Sequence, residues 1–207
     1  MICKEFQQMA QAKVLNEKEI RKVLLHIASK KHSSRNRAMF LMTTNCGLRV
    51  KEVASLRISD VLASDGSIRE EFYLSAEQTK GSKGRTIYLS KKMQEELHNY
   101  LSSRFKLKDL LAVTMTDTSR ALFASQKDNV RGFSPSTLAQ HFHYLYKSAN
   151  VDGASSHSGR RGFITNLANK GVSVRVLMEL VGHSAMSCTQ KYIDANPKTL
   201  RASVELL

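Results

Sequence analysis

The sequence predicts a mainly α-helical domain with one small antiparallel β-sheet, an α+β fold. Apolar residues recur at helical spacing along most of the 207-residue chain. Between about Ser67 and Leu89 the period changes, and two runs rich in β-branched and aromatic residues flank a turn with Gly81 and Gly84. That pattern predicts a hairpin or a three-stranded sheet. No internal repeat and no linker rich in Gly, Ser or Pro divides the chain, so we expect one domain.

Before the sheet, the sequence predicts three helices and a basic loop. Asn16 can cap the first helix, and Glu19 follows three residues later, as in a capping box. The polar stretch Lys30–Arg37 then predicts a loop. A second helix is predicted at about Asn36–Cys46 and a short third one at about Val50–Leu56.

After the sheet, the pattern is again helical. Ser90 and Ser134 are predicted helix caps, and Pro135 suits the first helical position. Residues 105–131 are weakly periodic, and no element is assigned there. The remaining predicted helices cover about residues 159–170, 173–181 and 187–194, followed by a tail helix from Pro197.

The charge of the chain points to a polyanionic partner. The sequence contains 32 Lys and Arg against 18 Asp and Glu, a formal net charge of +14. Residues 1–60, 61–150 and 151–207 carry +7, +4 and +3, so the excess does not belong to a detachable basic arm. A folded domain with this charge attracts polyanions, of which nucleic acid is the commonest. Charge names no chemistry, and a basic surface that only keeps the protein soluble is the alternative.

Composition also excludes several classes of protein. No apolar run approaches the roughly 20 residues that span a bilayer, and the opening residues lack a signal-peptide pattern, so neither a membrane nor a secreted protein is expected. The cysteines are Cys3, Cys46 and Cys188, an odd number with no zinc-ligand spacing. We therefore expect a reduced cytoplasmic protein with free thiols.

Several polar residues fall at predicted helix ends and turns, where a folded surface can gather them into one site. Each is individually common, and each alone suits a surface or core position. Their order along the chain is more specific. They are Arg49 in Gly-Leu-Arg, Lys80 at the predicted hairpin tip, His157 and Arg160 in His-Ser-Gly-Arg, His183 in Gly-His, and Tyr192 nine residues after His183.

In this order and spacing, the chain resembles the tyrosine recombinase (phage integrase) family, from about Asn16 to its C-terminus. The 23 residues between Arg160 and His183 suit the family's helix–turn–helix spacing. The residues after Arg49, which run from Glu52 to Leu56, are also similar. The resemblance implies the tyrosine recombinase catalytic-domain fold and a site-specific recombinase that cleaves and rejoins DNA through a 3′-phosphotyrosyl intermediate.

The resemblance implies a role for each residue. Tyr192 is the nucleophile; a phenol with a pKa of about 10 needs a proton acceptor and a cationic setting. Arg49 and Arg160 hold the two non-bridging phosphate oxygens, because a guanidinium donates paired hydrogen bonds and stays charged. The other three residues handle protons and orient the phosphate. Lys80 donates a proton to the departing 5′-oxygen, with Lys83 as its rival on the same turn; His157 assists proton transfer or orients the phosphate; and His183 hydrogen-bonds a non-bridging oxygen.

The resemblance also implies a domain organisation. Residues 1–15 form an N-terminal extension, 16–196 the integrase-type catalytic domain and 197–207 a tail helix that docks on a neighbouring subunit or folds back on its own core. Many family members place a DNA-clamping domain before the catalytic one, so this chain is either part of a longer parent or a naturally short member. The family often has histidine where this sequence has Arg161, and local contacts are expected to differ there.

The implied partners are double-stranded DNA at specific sites, other copies of the chain in a DNA-bound tetramer, and an accessory DNA-bending protein. No cofactor is implied, and no Asp and Glu cluster accompanies the motif, so we expect metal-independent chemistry. Two alternatives remain. A type IB topoisomerase would relax supercoils with similar residues, and a non-catalytic regulator derived from the fold would bind DNA without cleaving it.

Overall fold

The computed structural model describes residues 12–79, 83–126, 128, 130–192, 201 and 204–205. Within these residues it has ten α-helices and two β-strands. They are α1 (Glu17–Ala28), α2 (Ser33–Asn45), α3 (Val50–Ser55), α4 (Ile58–Val61), β1 (Glu71–Leu74), β2 (Arg85–Tyr88), α5 (Lys91–Arg104), α6 (Leu107–Thr116), α7 (Pro135–Ser148), α8 (Ser158–Asn169), α9 (Val174–Val181) and α10 (Met186–Gln190). The predicted α+β class is confirmed. No helix in the described part of the chain has both the length and the apolar character needed to cross a membrane.

Helix α2 is the centre of the fold. It packs against α1, α3, α5 and α8. Ala38 to Met42 are all buried, so the helix is covered on every side rather than along one stripe. Because α2 is enclosed in this way, its C-terminal end and the loop that follows are held rigidly against α8.

The predicted N-terminal cap is confirmed. The Asn16 side chain accepts a hydrogen bond from the Glu19 N–H (2.9 Å), and the Glu19 carboxylate accepts one from the Asn16 N–H (3.0 Å). Ser90 and Ser134 likewise cap α5 and α7. These helix starts depend on hydrogen bonds within four residues, which is why the sequence alone locates them.

The loop predicted at Lys30–Arg37 is wrong. Helix α2 begins at Ser33, three residues before the predicted start, and Arg35 and Asn36 are buried. The Arg35 guanidinium donates to the Ala124 carbonyl (2.9 Å) and lies over the Phe133 ring. Tertiary contacts therefore place this polar turn inside the helix. The structure also contains α4, which the pattern did not predict, and α6 in the unassigned stretch.

The sheet consists, in the described residues, of the antiparallel pair β1 and β2, with Phe72 opposite Ile87. Both of these residues are buried, and Tyr73 and Tyr88 are exposed on the other face. This alternation is what a sheet with one face on the core requires. The hairpin tip at residues 80–82, including Lys80, lies outside the described residues, as do residues 197–200 of the predicted tail helix.

Candidate active site

A glycine turn between α2 and α3 brings Arg49 to the site. Gly47 has a φ of +65°, and a Cβ there would lie 2.5 Å from the Phe163 ring of α8. Both the left-handed backbone and the close approach of α8 therefore require glycine. The N–H of buried Leu48 donates to the Met42 carbonyl (3.2 Å), and Arg49 follows as the residue that precedes α3.

Helix α8 carries Arg160 into the core beside this turn. Gly159 allows the approach, because a Cβ there would collide with the Thr43 hydroxyl of α2. Arg160 is only 5% exposed, and its terminal nitrogens donate to the Gly47 carbonyl (2.8 Å) and the Val181 carbonyl (2.6 Å). The guanidinium thus joins the turn that carries Arg49 to the end of α9. Each terminal nitrogen has a second hydrogen for another acceptor.

The electrostatic setting of Arg160 is unusual. Burial and the neighbouring positive charge of Arg49 lower the pKa of Arg160 to about 9, and Glu52 opposes this shift. The guanidinium remains charged near neutral pH, but its charge is poorly compensated by the protein. A site of this kind is stabilised by an anion.

Glu52 is a buried carboxylate that the sequence reasoning did not assign to the site. It is 0% exposed and accepts a bidentate pair from Arg85 (2.7 and 2.8 Å). It also accepts hydrogen bonds from the Arg49 side chain (3.0 Å) and the Arg49 backbone N–H (2.7 Å), and it lies 3.9 Å from Arg160. Burial alone would raise the pKa of Glu52, but the Arg85 guanidinium holds it below its usual value.

His183 enters the site directly after a glycine helix end. Gly182 ends α9 with a φ of +64°. The His183 ring shares a hydrogen bond with the Thr189 hydroxyl through Nδ1 (2.8 Å). Burial first, and then the charge of the nearby arginines, lowers the pKa of His183 to about 4, so its imidazole is neutral at physiological pH.

Tyr192 lies in a turn just past α10, beside His183. The two rings are stacked with their centroids 5.9 Å apart and an interplanar angle of 23°. The Arg161 guanidinium lies 5.5 Å from the Tyr192 ring centroid, and the Thr165 hydroxyl donates to the Tyr192 carbonyl (3.3 Å). The tyrosine is therefore held by α8 as well as by His183.

A cavity of about 350 Å³ joins these groups. Its lining includes Arg49, His157, Arg160, Arg161, His183 and Tyr192. Five of the six residues singled out in the sequence thus meet at one place, and the sixth, Lys80, lies outside the described residues. His157 is exposed and directly precedes α8.

A second cavity, of about 490 Å³, adjoins the first and shares Arg49 and His183 with it. Lys83, the rival of Lys80, lines this second cavity. The base of the hairpin tip is tied together by the Thr79 hydroxyl, which donates to the Lys83 carbonyl (2.9 Å), and Lys51 donates to the Thr79 carbonyl (3.0 Å). Lys83 is therefore fixed at the edge of the site.

Glu52, Arg85 and Arg161 are the residues that the sequence reasoning missed. Arg85 did leave a signal, because it shares the alternation of Ile87 and Leu89 and so falls on the buried face of β2. A buried arginine needs a carboxylate, and Glu52 lies one helical turn after Arg49. Arg161 left no comparable signal beyond its place next to Arg160.

Together these groups can bind a phosphodiester and present a hydroxyl to it. Two guanidinium groups supply paired donors for phosphate oxygens, and a neutral imidazole and a phenol stand beside them. Within the described residues, no group of three or more His, Cys, Asp and Glu side chains is arranged to hold a metal ion.

The fold is shared with solved recombinase structures. The crystal structure of XerA recombinase matches 93% of this chain and 64% of its own, with a TM-score of 0.71 and 24% identity. The Tn1549 transposon integrase in complex with a circular-intermediate DNA matches 97% of this chain and 67% of its own, with a TM-score of 0.72 and 19% identity.

The family follows from the sequence match. The phage integrase family model matches residues 13–199, and this chain belongs to that family. Tyrosine recombinase XerA of Pyrococcus furiosus is 31% identical over 194 residues, which are 93% of this chain and 61% of that protein. The chain thus spans about three fifths of the length of this curated relative.

Proposed function

We propose that this chain is the catalytic part of a site-specific DNA recombinase that acts through a covalent tyrosine intermediate. The observation that carries the proposal is the single cavity lined by Tyr192, both arginines and both histidines. Family membership supports it, because relatives of similar sequence are named tyrosine recombinases. The similarity to an integrase in complex with DNA supports DNA as the partner.

In the proposed reaction, the Tyr192 hydroxyl attacks a backbone phosphorus and loses its proton as the new P–O bond forms. The bond from phosphorus to the 5′-oxygen breaks, which leaves a 3′-phosphotyrosyl link and a free 5′-hydroxyl. The link conserves the energy of the phosphodiester, so another strand's 5′-hydroxyl can reverse the step. No external energy source is needed.

Arg49 and Arg160 bind the two non-bridging oxygens in this proposal. Arg160 is already fixed by two backbone carbonyls, so its remaining hydrogens are preorganised for phosphate. His183 donates to a phosphate oxygen from the neutral tautomer that carries hydrogen on Nε2, with Nδ1 accepting from Thr189. A bound phosphate would also compensate the positive charge around Arg160.

His157 assists proton transfer or orients the phosphate, and a hairpin lysine protonates the leaving 5′-oxygen. We assign the proton donor to Lys80 on its match to the family motif, with Lys83 as the alternative. The chain is proposed to be monomeric in solution and to assemble as a tetramer on paired DNA sites, with residues 197–207 exchanged between subunits. An accessory DNA-bending protein completes the proposed partners.

Covalent capture on a suicide substrate tests the proposal. The substrate is nicked DNA from the sequence flanking the gene, incubated with EDTA and with wild type, Tyr192→Phe or the exposed control Tyr144→Phe. We expect a phosphotyrosyl adduct with wild type and Tyr144→Phe and none with Tyr192→Phe. An adduct with all three proteins would reject Tyr192 as the nucleophile.

Two further outcomes discriminate the alternatives. DNA binding that is sensitive to salt, without an adduct on any substrate, would indicate a regulator that only binds. Relaxation of an arbitrary supercoiled plasmid, without preference for a repeated site, would indicate topoisomerase activity.

A further inference from the structure

Arg161 lines the candidate cavity, yet none of the roles assigned above uses it. It follows Arg160 on α8, but the two side chains have different surroundings. Arg160 is buried against backbone carbonyls, whereas the Arg161 guanidinium lies over the Tyr192 ring, 5.5 Å from its centroid. A cation at this distance from an aromatic face is attracted by the ring's quadrupole.

A second residue of α8 holds the same tyrosine. The Thr165 hydroxyl donates to the Tyr192 carbonyl (3.3 Å). Arg161 and Thr165 are four residues apart and therefore share one face of the helix. One helix thus contacts Tyr192 both at its ring and at its backbone.

Tyr192 needs such contacts because it lies beyond the end of α10 at Gln190. Its own N–H bonds to the Thr189 carbonyl (3.0 Å), which closes a turn but does not fix the direction of the ring. The ring contacts with His183 and Arg161 constrain it further.

The Nε of Arg161 is buried and has no hydrogen-bond partner among the described residues. Burial of an unpaired donor costs free energy, so the hydrogen bonds of Nε do not explain why the guanidinium lies there. The contact with the Tyr192 ring does explain its position.

We propose that Arg161 is a positioning residue that holds the Tyr192 ring in the cavity of its own chain before DNA is cleaved. Thr165 supports it by fixing the backbone of residue 192. The inference rests on the proposed function for its catalytic consequence, but the placement of the ring can be tested without DNA.

The first test is single-turnover covalent capture at saturating DNA, with Arg161→Gln and Arg161→Lys. We expect Arg161→Gln to slow capture by about 10- to 100-fold, since small misplacement of a reacting group has effects of this size. The DNA dissociation constant should change by less than about threefold, because uniform binding is not what is lost. Arg161→Lys should restore part of the rate, since an ammonium group keeps a cation near the ring.

Arg120→Gln is the matched control. Arg120 also lies over an aromatic ring, 5.2 Å from the Phe105 centroid, and its Nε is likewise buried without a partner in the described residues. It is not among the residues that line the candidate cavity. The control removes the same charge and the same type of contact, so we expect it to capture DNA at the wild-type rate.

The second test measures the accessibility of Tyr192 in the free protein. Tetranitromethane nitrates accessible tyrosines, and trypsin releases Tyr192 in the peptide of residues 192–198. We expect nitration of Tyr192, relative to the exposed Tyr73, to rise about threefold or more in Arg161→Gln and to stay unchanged in Arg120→Gln.

The two readouts separate failure of the inference from failure of the proposed function. If wild type forms no adduct, the proposed function fails, and nitration alone decides the role of Arg161. Unchanged nitration in Arg161→Gln would overturn the inference. Loss of DNA affinity equal to the loss of capture rate would also overturn it, because Arg161 would then bind phosphate instead of positioning the tyrosine.

Discussion

At the scale of single residues, Glu52 determines how three arginines can lie together. Arg85 and Arg160 are both almost fully buried, and Arg49 is partly buried beside them. Guanidinium groups this close repel one another in a medium of low dielectric constant. The Glu52 carboxylate offsets that repulsion, so the arrangement that can bind phosphate depends on an acidic residue that need not touch the substrate.

We predict that Glu52→Gln destabilises the protein by about 3–5 kcal/mol, because the buried arginines lose their counter-charge. Urea unfolding measures the change. The control is Glu96→Gln, which breaks the more exposed ion pair with Arg37 and should cost about 1 kcal/mol. Equal losses in the two variants would show that the Glu52 cluster adds no stability beyond that of a surface pair.

His183 gives a prediction about pH. Its pKa in the folded protein is about 4, below the ordinary value of 6.5, so the unfolded chain binds the proton more readily between those values. Stability therefore falls as the pH is lowered through this range. In urea unfolding at about pH 7.5 and about pH 5, His183→Gln should lose about 1 kcal/mol less than wild type, after allowance for partial exposure. Identical losses would contradict the burial of His183 described above.

At the scale of elements, the contact between α2 and α8 sets the geometry of the site. The turn after α2 carries Arg49, and α8 carries Arg160 and is preceded by His157. The separation of the two helices therefore fixes the distance between these groups. Gly159 is the point of closest approach, because its missing side chain makes room for Thr43.

Two glycines on α8 provide a matched pair of variants. Gly159→Ala should destabilise the protein by about 1–3 kcal/mol, since the new methyl group would push α8 away from Thr43. At Gly162, a Cβ would meet nothing within 4 Å, so Gly162→Ala should stabilise the helix by up to about 1 kcal/mol. Thermal or urea unfolding of both variants checks the sign. A loss of stability in Gly162→Ala as large as that in Gly159→Ala would disprove the packing argument.

Elements defined by local hydrogen bonds were predictable from the sequence. The Asn16 capping box and the Ser134 cap are confirmed because their partners lie within a few residues. The start of α2 was wrong because it depends on the contact of Arg35 with Ala124, 89 residues away in the chain. Local patterns contain no information about such contacts.

The same distinction applies to the candidate site. Arg49, His157 and His183 all lie at helix ends or glycine turns, which the sequence marks clearly, and the structure brings them to one cavity. The contact of Arg85 with Glu52 joins residues 33 apart, so it depends on how β2 docks on α3. That contact required the folded structure.

At the scale of the whole molecule, the net charge of +14 is spread over the chain. Such a charge distribution favours non-specific association with DNA in many registers, before any target site is found. The excess of three positive charges in residues 151–207 lies in the part of the chain that contains Arg160 and Tyr192. A long-range electrostatic term should therefore dominate the affinity for arbitrary duplex DNA.

We predict that this affinity falls at least about 100-fold when monovalent salt rises from about 50 to about 200 mM, a log–log slope of about −4 or steeper. Fluorescence anisotropy with a labelled random-sequence duplex gives the slope. Lys83→Gln, at the edge of the candidate site, should make the slope shallower by about 0.9, the contribution of one phosphate contact. Lys18→Gln on α1 removes the same charge from an exposed helix remote in sequence and should leave the slope unchanged. Equal effects of the two substitutions would mean that total charge, and not the surface around the cavity, determines where DNA binds.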